Sequence, residues 1–521
     1  MRVFTKVVSS EIVKFGKLVT AINVKWRMIS LSILLILSLN GCTSLFVQPI
    51  SASEKDSGVV MFHSNSYFYA TIVGIDESNR DKKYKIGSNW LGAISSKTYI
   101  GSLPVGRYKI YKFNGAEGFG PRFNVELKFL TDYEFTIKQN QVTYLGRIIS
   151  GDFANRGRNI FRTSNVDNLL AKRWVNTYHP ELNRLLKNEI LNWDAFDDEI
   201  SNKEYEWLRV ADWSPTSMEQ LADGSVFIGT ALGRAQLWVR ESDFRVIGPN
   251  FVGRSDIFYE VSNDEWIVAG EYGEISLTRN SGADWERIGE DLPFGIIKGV
   301  NSGIGEDVLI SIASKGTLSI ISLNLGTNKW NLIDKQEFTE TSGLGPGFKP
   351  KVSEYKEMLY ITLPPNKLVR LDMKNYSVVD VSPRARIINI AISGDGVLRC
   401  RCVDSIRPEI WESIDNGVSW TKSTLPYERL IPMFWDENLG LAIENKYDST
   451  NHWTELYRSS NGGESWSKIS SLERAIIMTN LFEGDNSILA IDIDGKINYS
   501  KDTGSSWIQY TNPNRQFDWG R

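Results

Sequence analysis

Cysteine and histidine are scarce in this sequence. Only three residues of each type occur among the 521 residues, namely Cys42, Cys400, Cys402, His63, His179 and His452. The histidines are scattered and do not have the spacing of metal ligands. We therefore predict no metal site and no cofactor.

Two of the cysteines, Cys400 and Cys402, lie two positions apart in a stretch that alternates apolar and polar residues. Residues at this spacing in a strand point to the same face, but a bond between them closes a strained ring. The sequence therefore predicts two free, half-buried thiols rather than a disulfide.

A basic surface is missing from the C-terminal three fifths of the chain. Lys and Arg minus Asp and Glu give a net charge of −11 for residues 207–521 and +6 for residues 43–165. Nucleic-acid binding needs a basic footprint, so the acidic segment argues against such a partner. A glycine-rich phosphate loop between a strand and a helix is also missing, which argues against nucleotide binding.

The apolar run Ile29–Leu39 is eleven residues long, which is too short for a membrane-spanning helix but suits a signal-peptide core. A basic leader precedes it, and it ends in Leu39, Asn40, Gly41 and Cys42. This end resembles a bacterial lipobox, which implies that residues 1–41 are a lipoprotein signal peptide and that Cys42 carries the lipid, including palmitate. An uncleaved N-terminal anchor is the alternative.

The lipoprotein resemblance also implies where the protein lies. Thr43 follows the lipidated cysteine, and a residue other than Asp there favours the outer membrane in a Gram-negative cell. We expect an envelope protein that is anchored to the membrane through its N-terminal lipid and faces the periplasm or the cell surface. Residues 42–56 form a short tether.

One eight-residue pattern occurs four times in the C-terminal part of the chain. The copies are Thr278–Trp285, Ser413–Trp420, Ser459–Trp466 and Ser500–Trp507, which we name repeats A, B, C and D. Their shared positions are Thr278, Asn280, Gly282 and Trp285 in A; Ser413, Asp415, Gly417 and Trp420 in B; Ser459, Asn461, Gly463 and Trp466 in C; and Ser500, Asp502, Gly504 and Trp507 in D. Asp, Asn, Ser and Thr bond to nearby backbone in tight turns, and Gly supplies a positive φ. Each copy therefore predicts a hairpin closed by a Trp.

The repeats belong to a regular period. The aromatic residues Phe244, Trp285, Trp330, Tyr376, Trp420, Trp466 and Trp507 are 41, 45, 46, 44, 46 and 41 residues apart. Such a period is typical of propeller blades. The pattern resembles the Asp-box of sialidases, sortilin and the photosystem II assembly-factor family. This resemblance implies a β-propeller of about seven blades over residues 207–521, although six or eight blades remain open.

The N-terminal part has a different organisation. Short alternating segments between 57 and 165 predict a β-sandwich, and the stretch Ile100–Tyr108 resembles transthyretin-like modules of bacterial lipoproteins. Residues 166–206 have helical spacing of apolar residues and predict a short helical connector. The fold class is therefore mainly β, with a sandwich, a connector and a propeller.

The sequence favours a non-catalytic platform that binds a protein or a glycan, or assists assembly. Candidate contacts are Trp435, His452 and Trp453, because aromatics on loops suit recognition. The long loop of the sixth blade, residues 444–453, is the predicted recognition loop. The alternative is a sialidase-like or other glycoside hydrolase. The Arg-Ile-Pro signature of sialidases is missing, and we predict no catalytic residue.

Overall fold

The computed structural model of the protein describes residues 56–64, 69–89, 97–114, 124–126, 134–153, 158–164, 168–185, 215–239, 243–339, 350–392, 396–403, 408–423, 432–448, 451–482 and 486–510. The predicted signal peptide, the predicted lipid-attachment residue Cys42 and all of the tether except Asp56 lie outside these residues. The same holds for the end of the predicted connector and the start of the predicted propeller segment.

Within the described residues, the N-terminal strands form one nine-stranded sheet with the order β6-β5-β2-β3-β4-β1-β8-β9, and β7 pairs with β5. The strands are β1 (Ser57–Ser64), β2 (Tyr69–Gly74), β3 (Lys83–Asn89), β4 (Lys97–Pro104), β5 (Gly106–Asn114), β6 (Asn124–Glu126), β7 (Glu134–Ile137), β8 (Val142–Phe153) and β9 (Arg158–Ser164). β1 and β8 run parallel. β3 joins the two halves of the sheet, which are β2, β5, β6 and β7 on one side and β4, β1, β8 and β9 on the other, because one end of β3 pairs with β2 and the other end with β4.

The core of this sheet collects side chains from both halves. Phe62 of β1 stacks on Tyr99 of β4, with ring centroids 4.7 Å apart. Ile72 of β2 and Phe135 of β7 belong to the same buried cluster. The alternate residues Val59 and Met61 of β1 belong to a second buried cluster, so this strand is buried on both faces. The two-layer sandwich itself stays a prediction.

Helix α1 (Asn168–Tyr178) and a 3-10 helix (Pro180–Leu185) follow the sheet. The predicted second helix is thus a 3-10 helix in its described part. The apolar stripe of α1 buries Leu170, Trp174 and Val175 in a cluster that also contains Val252 and Phe294 of the C-terminal part. The helical stripe therefore packs on the neighbouring domain.

The C-terminal part consists of consecutive antiparallel sheets, and the described residues contain seven sheets of four strands. The first three are β10 (Pro215–Gln220), β11 (Val226–Thr230), β12 (Ala235–Val239) and β13 (Asp243–Ile247); β14 (Ser255–Glu260), β15 (Trp266–Gly270), β16 (Ile275–Thr278) and β17 (Glu286–Arg287); and β18 (Ile296–Ser302), β19 (Asp307–Ser314), β20 (Thr317–Asn324) and β21 (Lys329–Glu337). A short 3-10 helix (Glu271–Gly273) connects β15 to β16.

The remaining sheets have the same sequential strand order. They are β22 (Lys351–Tyr355), β23 (Met358–Leu363), β24 (Lys367–Asp372) and β25 (Val378–Asp380); β26 (Arg386–Ile392), β27 (Leu398–Val403), β28 (Pro408–Ser413) and β29 (Thr421–Lys422); β30 (Met433–Phe434), β31 (Gly440–Tyr447), β32 (His452–Ser459) and β33 (Ser467–Leu472); and β34 (Ile476–Leu481), β35 (Ile488–Asp492), β36 (Ile497–Ser500) and β37 (Ile508–Tyr510). Each aromatic residue of the sequence period lies in, or up to two residues before, the fourth strand of its sheet.

Neighbouring sheets pack face to face, and the first sheet packs on the last. Trp238 of β12 lies 5.3 Å from Tyr499 of β36 and 5.8 Å from Tyr510 of β37, measured between ring centroids. The fold is mainly β and propeller-like. The last strand, β37, pairs with β36 within its own sheet. In the described residues the first and last sheets meet through side chains.

Candidate functional site

The four repeats form the same hydrogen-bonded hairpin, which connects the third strand of a sheet to the fourth. In repeat B, Ser413 Oγ donates to Asp415 Oδ1 at 2.8 Å and accepts from the Gly417 N–H at 2.8 Å. Asp415 Oδ1 also accepts from the Ser419 N–H at 2.8 Å. The equivalent bonds occur in repeats A, C and D. The hydroxyl and the carboxyl or amide group of each repeat therefore hold their own turn.

The hydrogen bonds have an electrostatic consequence at Asp415. Hydrogen bonds from Ser419, and then from Ser413, lower the pKa of Asp415 to about 2. A carboxylate held ionised in this way is a poor general acid at neutral pH. The hydrogen-bond geometry therefore gives the Asp and Ser positions of the repeat a structural role.

Repeat B differs from its copies in what its outer positions expose. Ile414 and Val418 are 85% and 72% exposed. The equivalent residues are Arg279 and Ala283 in A, Ser460 and Glu464 in C, and Lys501 and Ser505 in D. Repeat B therefore presents an aliphatic pair on a fixed turn, where the other copies present polar or small side chains.

The three predicted contact residues do not come together. Trp435 is only 6% exposed and belongs to the buried core of the sixth sheet, so its prediction as a binding residue is wrong. It follows β30, which pairs with the start of β31 at Gly440. His452 pairs with Tyr447 at the other end of β31, about 20 Å away along the strand. The apolar bulk of Trp435 fills the core of its sheet instead of facing a ligand.

The predicted recognition loop is mostly strand. β31 and β32 extend through residues 440–447 and 452–459, so only residues 448–451 connect them. Lys446 pairs with Trp453, and Tyr447 pairs with His452. Side chains directly opposite each other in an antiparallel pair point to the same face, and successive residues alternate. His452 and Trp453 consequently lie on opposite faces of this hairpin, and Trp453 is half-buried.

Tyr447 lies in the predicted recognition loop but was not among the predicted contact residues, and the structure places it beside His452. Tyr447 is 78% exposed, and its ring centroid lies 6.2 Å from that of His452. A long two-stranded hairpin with a four-residue turn supports both rings. The apolar and polar alternation of the two strands was the available sequence signal for this pair. In an antiparallel hairpin, the last residue of the first strand lies opposite the first residue of the second strand.

A second group of polar side chains lies on the innermost strands. Hairpin register puts Glu219, Tyr259, Asn301 and Glu354 at equivalent positions of the first four sheets. Asn301 Nδ2 donates to Glu354 Oε2 at 2.9 Å. The Glu219 side chain is accessible to solvent, yet the surrounding chain crowds it, and this desolvation raises the pKa of Glu219 to about 7. No motif or spacing in the sequence selects these four residues.

The prediction of free thiols is wrong. Cys400 and Cys402 form a disulfide, and both residues are fully buried in β27. Their Cα atoms are 5.5 Å apart, which lies within the range that a disulfide requires. The opposite strand β26 has a register shift between Ile387 and Asn389, where Ile387 pairs with Cys402. The register shift lies in β26, whereas β27, which carries both cysteines, pairs with β28 without a shift.

Two further observations concern the described part of the chain. Its His, Cys, Asp and Glu side chains include no group of three placed to hold a metal ion. None of its helices combines the length and the apolar character needed to span a lipid bilayer.

Comparisons with known proteins give only distant likenesses. No family model and no curated protein sequence matches the chain. Similar solved structures include YCF48 bound to D1 peptide, with a TM-score of 0.42, 12% identity and coverage of 55% of this chain and 92% of that one. They also include the GH74 enzyme of Niastella koreensis, with a TM-score of 0.41, 12% identity and coverage of 57% and 53%. The tricorn protease has a TM-score of 0.41, 10% identity and coverage of 82% and 48%. Because these TM-scores lie below 0.5, we base no conclusion on them.

Proposed function

We propose that this chain is a lipid-anchored envelope protein whose C-terminal sheets form a seven-bladed Asp-box propeller that binds a protein or a glycan without catalysis. The seven sheets of four strands and the packing of the first sheet on the last support the blade count. The N-terminal sheet has a buried cluster that combines side chains of β1, β2, β4 and β7, and this cluster supports a sandwich that acts as a spacer.

The exposed pair Tyr447 and His452 carries the binding proposal. Both rings lie on one face of a hairpin, and the hairpin is fixed at its base. Asn445 Oδ1 accepts from Thr454 Oγ1 at 2.6 Å and from the Ile476 N–H at 3.1 Å. Rigid aromatic side chains supply contact area at little cost in conformational entropy, and they suit either a protein surface or a sugar ring.

The binding proposal is tested with the full chain on a glycan array and as bait for envelope proteins. Wild type is compared with the double variant Tyr447→Ala, His452→Ala and with the control Val379→Ala, whose side chain is 45% exposed elsewhere. We expect wild type and control to retain the same ligand, and the double variant to lose at least about tenfold in affinity, or ~1.4 kcal/mol. Equal binding by all three proteins, or no ligand at all, contradicts the proposal.

The anchor is tested separately. Cells that express the chain should incorporate labelled palmitate into the wild type and not into Cys42→Ala. Labelling of the variant, or no labelling of the wild type, refutes lipidation at Cys42 and leaves the binding experiment unaffected.

Glu219 supports a second candidate, a glycoside hydrolase. A pKa of about 7 leaves the Glu219 carboxyl partly protonated at neutral pH, as a general acid requires. Glu354, at the equivalent position three sheets away, supplies a second carboxylate. Fluorogenic glycosides, including a sialoside, should be cleaved by wild type and not by Glu219→Gln if this candidate is correct. Absence of cleavage by wild type rejects it.

A further inference from the structure

The N-terminal sheet and the propeller-like part meet at a joint that contains charged groups. Arg147 of β8 reaches across the joint, and its Nη1 donates to the carbonyls of Leu232 and Phe251, both at 3.1 Å. Arg173 of α1 likewise donates through Nη2 to the Leu292 carbonyl at 2.7 Å. Two arginines of the N-terminal part therefore bind backbone of the loops on one face of the ring.

Three ionisable residues at this joint are almost completely removed from solvent. His63 and Arg147 are 0% exposed, and Glu274 is 1% exposed. His63 and Arg147 are neighbours in the pairing of β1 with β8. The His63 ring lies 4.9 Å from the ring of Tyr272, which is two residues before Glu274. Glu274 Oε2 accepts from the Val252 and Gly253 N–H groups, next to the Phe251 carbonyl that Arg147 binds. The three residues thus belong to one cluster.

The electrostatics agree with this placement. Burial, and then the charge of Arg147, lower the pKa of His63 to about 3. Burial raises the pKa of Glu274, and the opposing causes are, in decreasing order, the Gly253 N–H, the charge of Arg287, the Val252 N–H and the charge of Arg147. Both groups therefore sense Arg147, and His63 is neutral at physiological pH.

Four buried polar atoms of this cluster have no hydrogen-bond partner among the described residues. They are Arg147 Nε, Arg147 Nη2, His63 Nε2 and Glu274 Oε1; the last of these lies 3.8 Å from Arg287 Nη2, an ion-pair distance but too long for a hydrogen bond. Nε and Nη2 form one edge of the guanidinium group and donate in parallel directions. An unpaired buried donor or acceptor destabilises the folded state, so native proteins rarely leave several in one place.

The chemistry of the four atoms selects the ligand. The Arg147 edge only donates, Glu274 Oε1 accepts while the carboxyl is ionised, and neutral His63 Nε2 does either according to its tautomer. An anion pairs with Arg147 but is repelled by Glu274, whereas a cation pairs with Glu274 but is repelled by Arg147. Water donates and accepts, and buried water typically makes about three hydrogen bonds to such groups.

We propose that ordered water is enclosed at this joint and bridges the Nε/Nη2 edge of Arg147 to Glu274 Oε1 and His63 Nε2. The bridged cluster fixes the N-terminal sheet on one face of the ring. Water supplies the hydrogen-bond partners that the two domains do not supply to each other. The relative orientation of the domains therefore depends on these water-bridged contacts as well as on the apolar cluster around Trp174 and Phe294.

The test is a crystal structure of the full chain at a resolution that shows ordered water, with a second crystal grown in bromide. We expect a density peak within hydrogen-bond distance of the Arg147 edge and of Glu274 Oε1 or His63 Nε2, and no anomalous bromide signal there. A bromide peak at this position shows that an anion binds there instead of water, and it overturns the proposal. A site closed by protein atoms, or one without density, also overturns it.

A solution measurement supports or opposes the same cluster independently. Arg147→Met keeps much of the side-chain volume but removes every donor, so we expect a clear fall of the unfolding midpoint temperature. The matched control is Arg184→Met, because Arg184 is exposed on the adjacent 3-10 helix and should leave the midpoint unchanged. If both variants unfold at the wild-type temperature, Arg147 does not hold the joint. If Arg147→Met does not fold, the wild-type crystals decide.

Discussion

The turn of repeat B makes a quantitative prediction for Gly417→Ala. Gly417 has a φ of +87°, and the repeat requires its N–H to donate to Ser413 Oγ at 2.8 Å. A Cβ atom at this position lies 2.8 Å from Val381 Cβ and 3.0 Å from Val381 Cγ2. These contacts are too short, and Val381 Cβ is fixed to the backbone, so either the turn or the neighbouring chain must move.

The expected loss has two parts. A non-glycine residue at positive φ costs about 1–2 kcal/mol. Insertion of a methyl group into a packed site costs about 1–3 kcal/mol more. We therefore expect Gly417→Ala to lower the free energy of unfolding by about 2–5 kcal/mol.

Gly305 separates the two contributions. It has a φ of +70°, and a Cβ atom there meets nothing within 4 Å. Gly305→Ala should therefore cost only the conformational part, about 1–2 kcal/mol. Urea unfolding of both variants, followed by tryptophan fluorescence, measures the difference. Equal losses for the two variants refute the packing part of the reasoning, and no loss for either refutes the assignment of positive φ.

Three further predictions use other parts of the structure. Folding lowers the pKa of Asp415 from 3.8 to about 2, so the ionised carboxylate stabilises the fold above pH 3.8 and this stabilisation is lost as the pH falls toward 2. In acid unfolding, Asp415→Asn should therefore lose less stability than the wild type over this pH range. The pKa of His63 falls from 6.5 to about 3 on folding, so stability decreases as the pH falls through this window, by up to roughly 5 kcal/mol, and His63→Gln should flatten the profile. Under denaturing, non-reducing conditions a maleimide should leave Cys400 and Cys402 unmodified, whereas labelling of both contradicts the disulfide.

Much of the fold could be predicted because it is repetitive. The period of about 44 residues places a fourth strand at or just after each aromatic residue, even around Tyr376, where the repeat residues are missing. Hydrogen bonds within eight consecutive residues determine each repeat turn, so a local pattern is sufficient to predict it. Interactions between elements distant in sequence could not be predicted in this way. The contact between β12 and β36 joins residues more than 250 positions apart.

The candidate sites were harder to predict for the same reason. Trp435 looks like a loop residue in the sequence, but the core of its sheet covers it. Arg147 looks like a polar residue of an exposed strand face, yet it is fully buried because loops of the first two sheets cover it. The Cys400–Cys402 disulfide joins two buried side chains on one face of β27, and the spacing of the cysteines alone did not predict it. In each case tertiary contacts decide which residues are accessible.

The joint also predicts which face of the ring points toward the membrane if Cys42 carries a lipid. The predicted tether leads into β1, and the N-terminal sheet packs on the face of the ring that Arg147 contacts, so we expect this face to lie nearer the anchor. Leu232 and Tyr447 belong to connections between second and third strands, which lie on the face that contacts this sheet, whereas repeat B lies on the opposite face. A fluorophore attached through Tyr447→Cys should therefore be quenched by spin-labelled lipid more strongly than one attached through Ile414→Cys, when the lipidated protein is placed in vesicles. Equal or reversed quenching contradicts this orientation, and the soluble Cys42→Ala form provides the background.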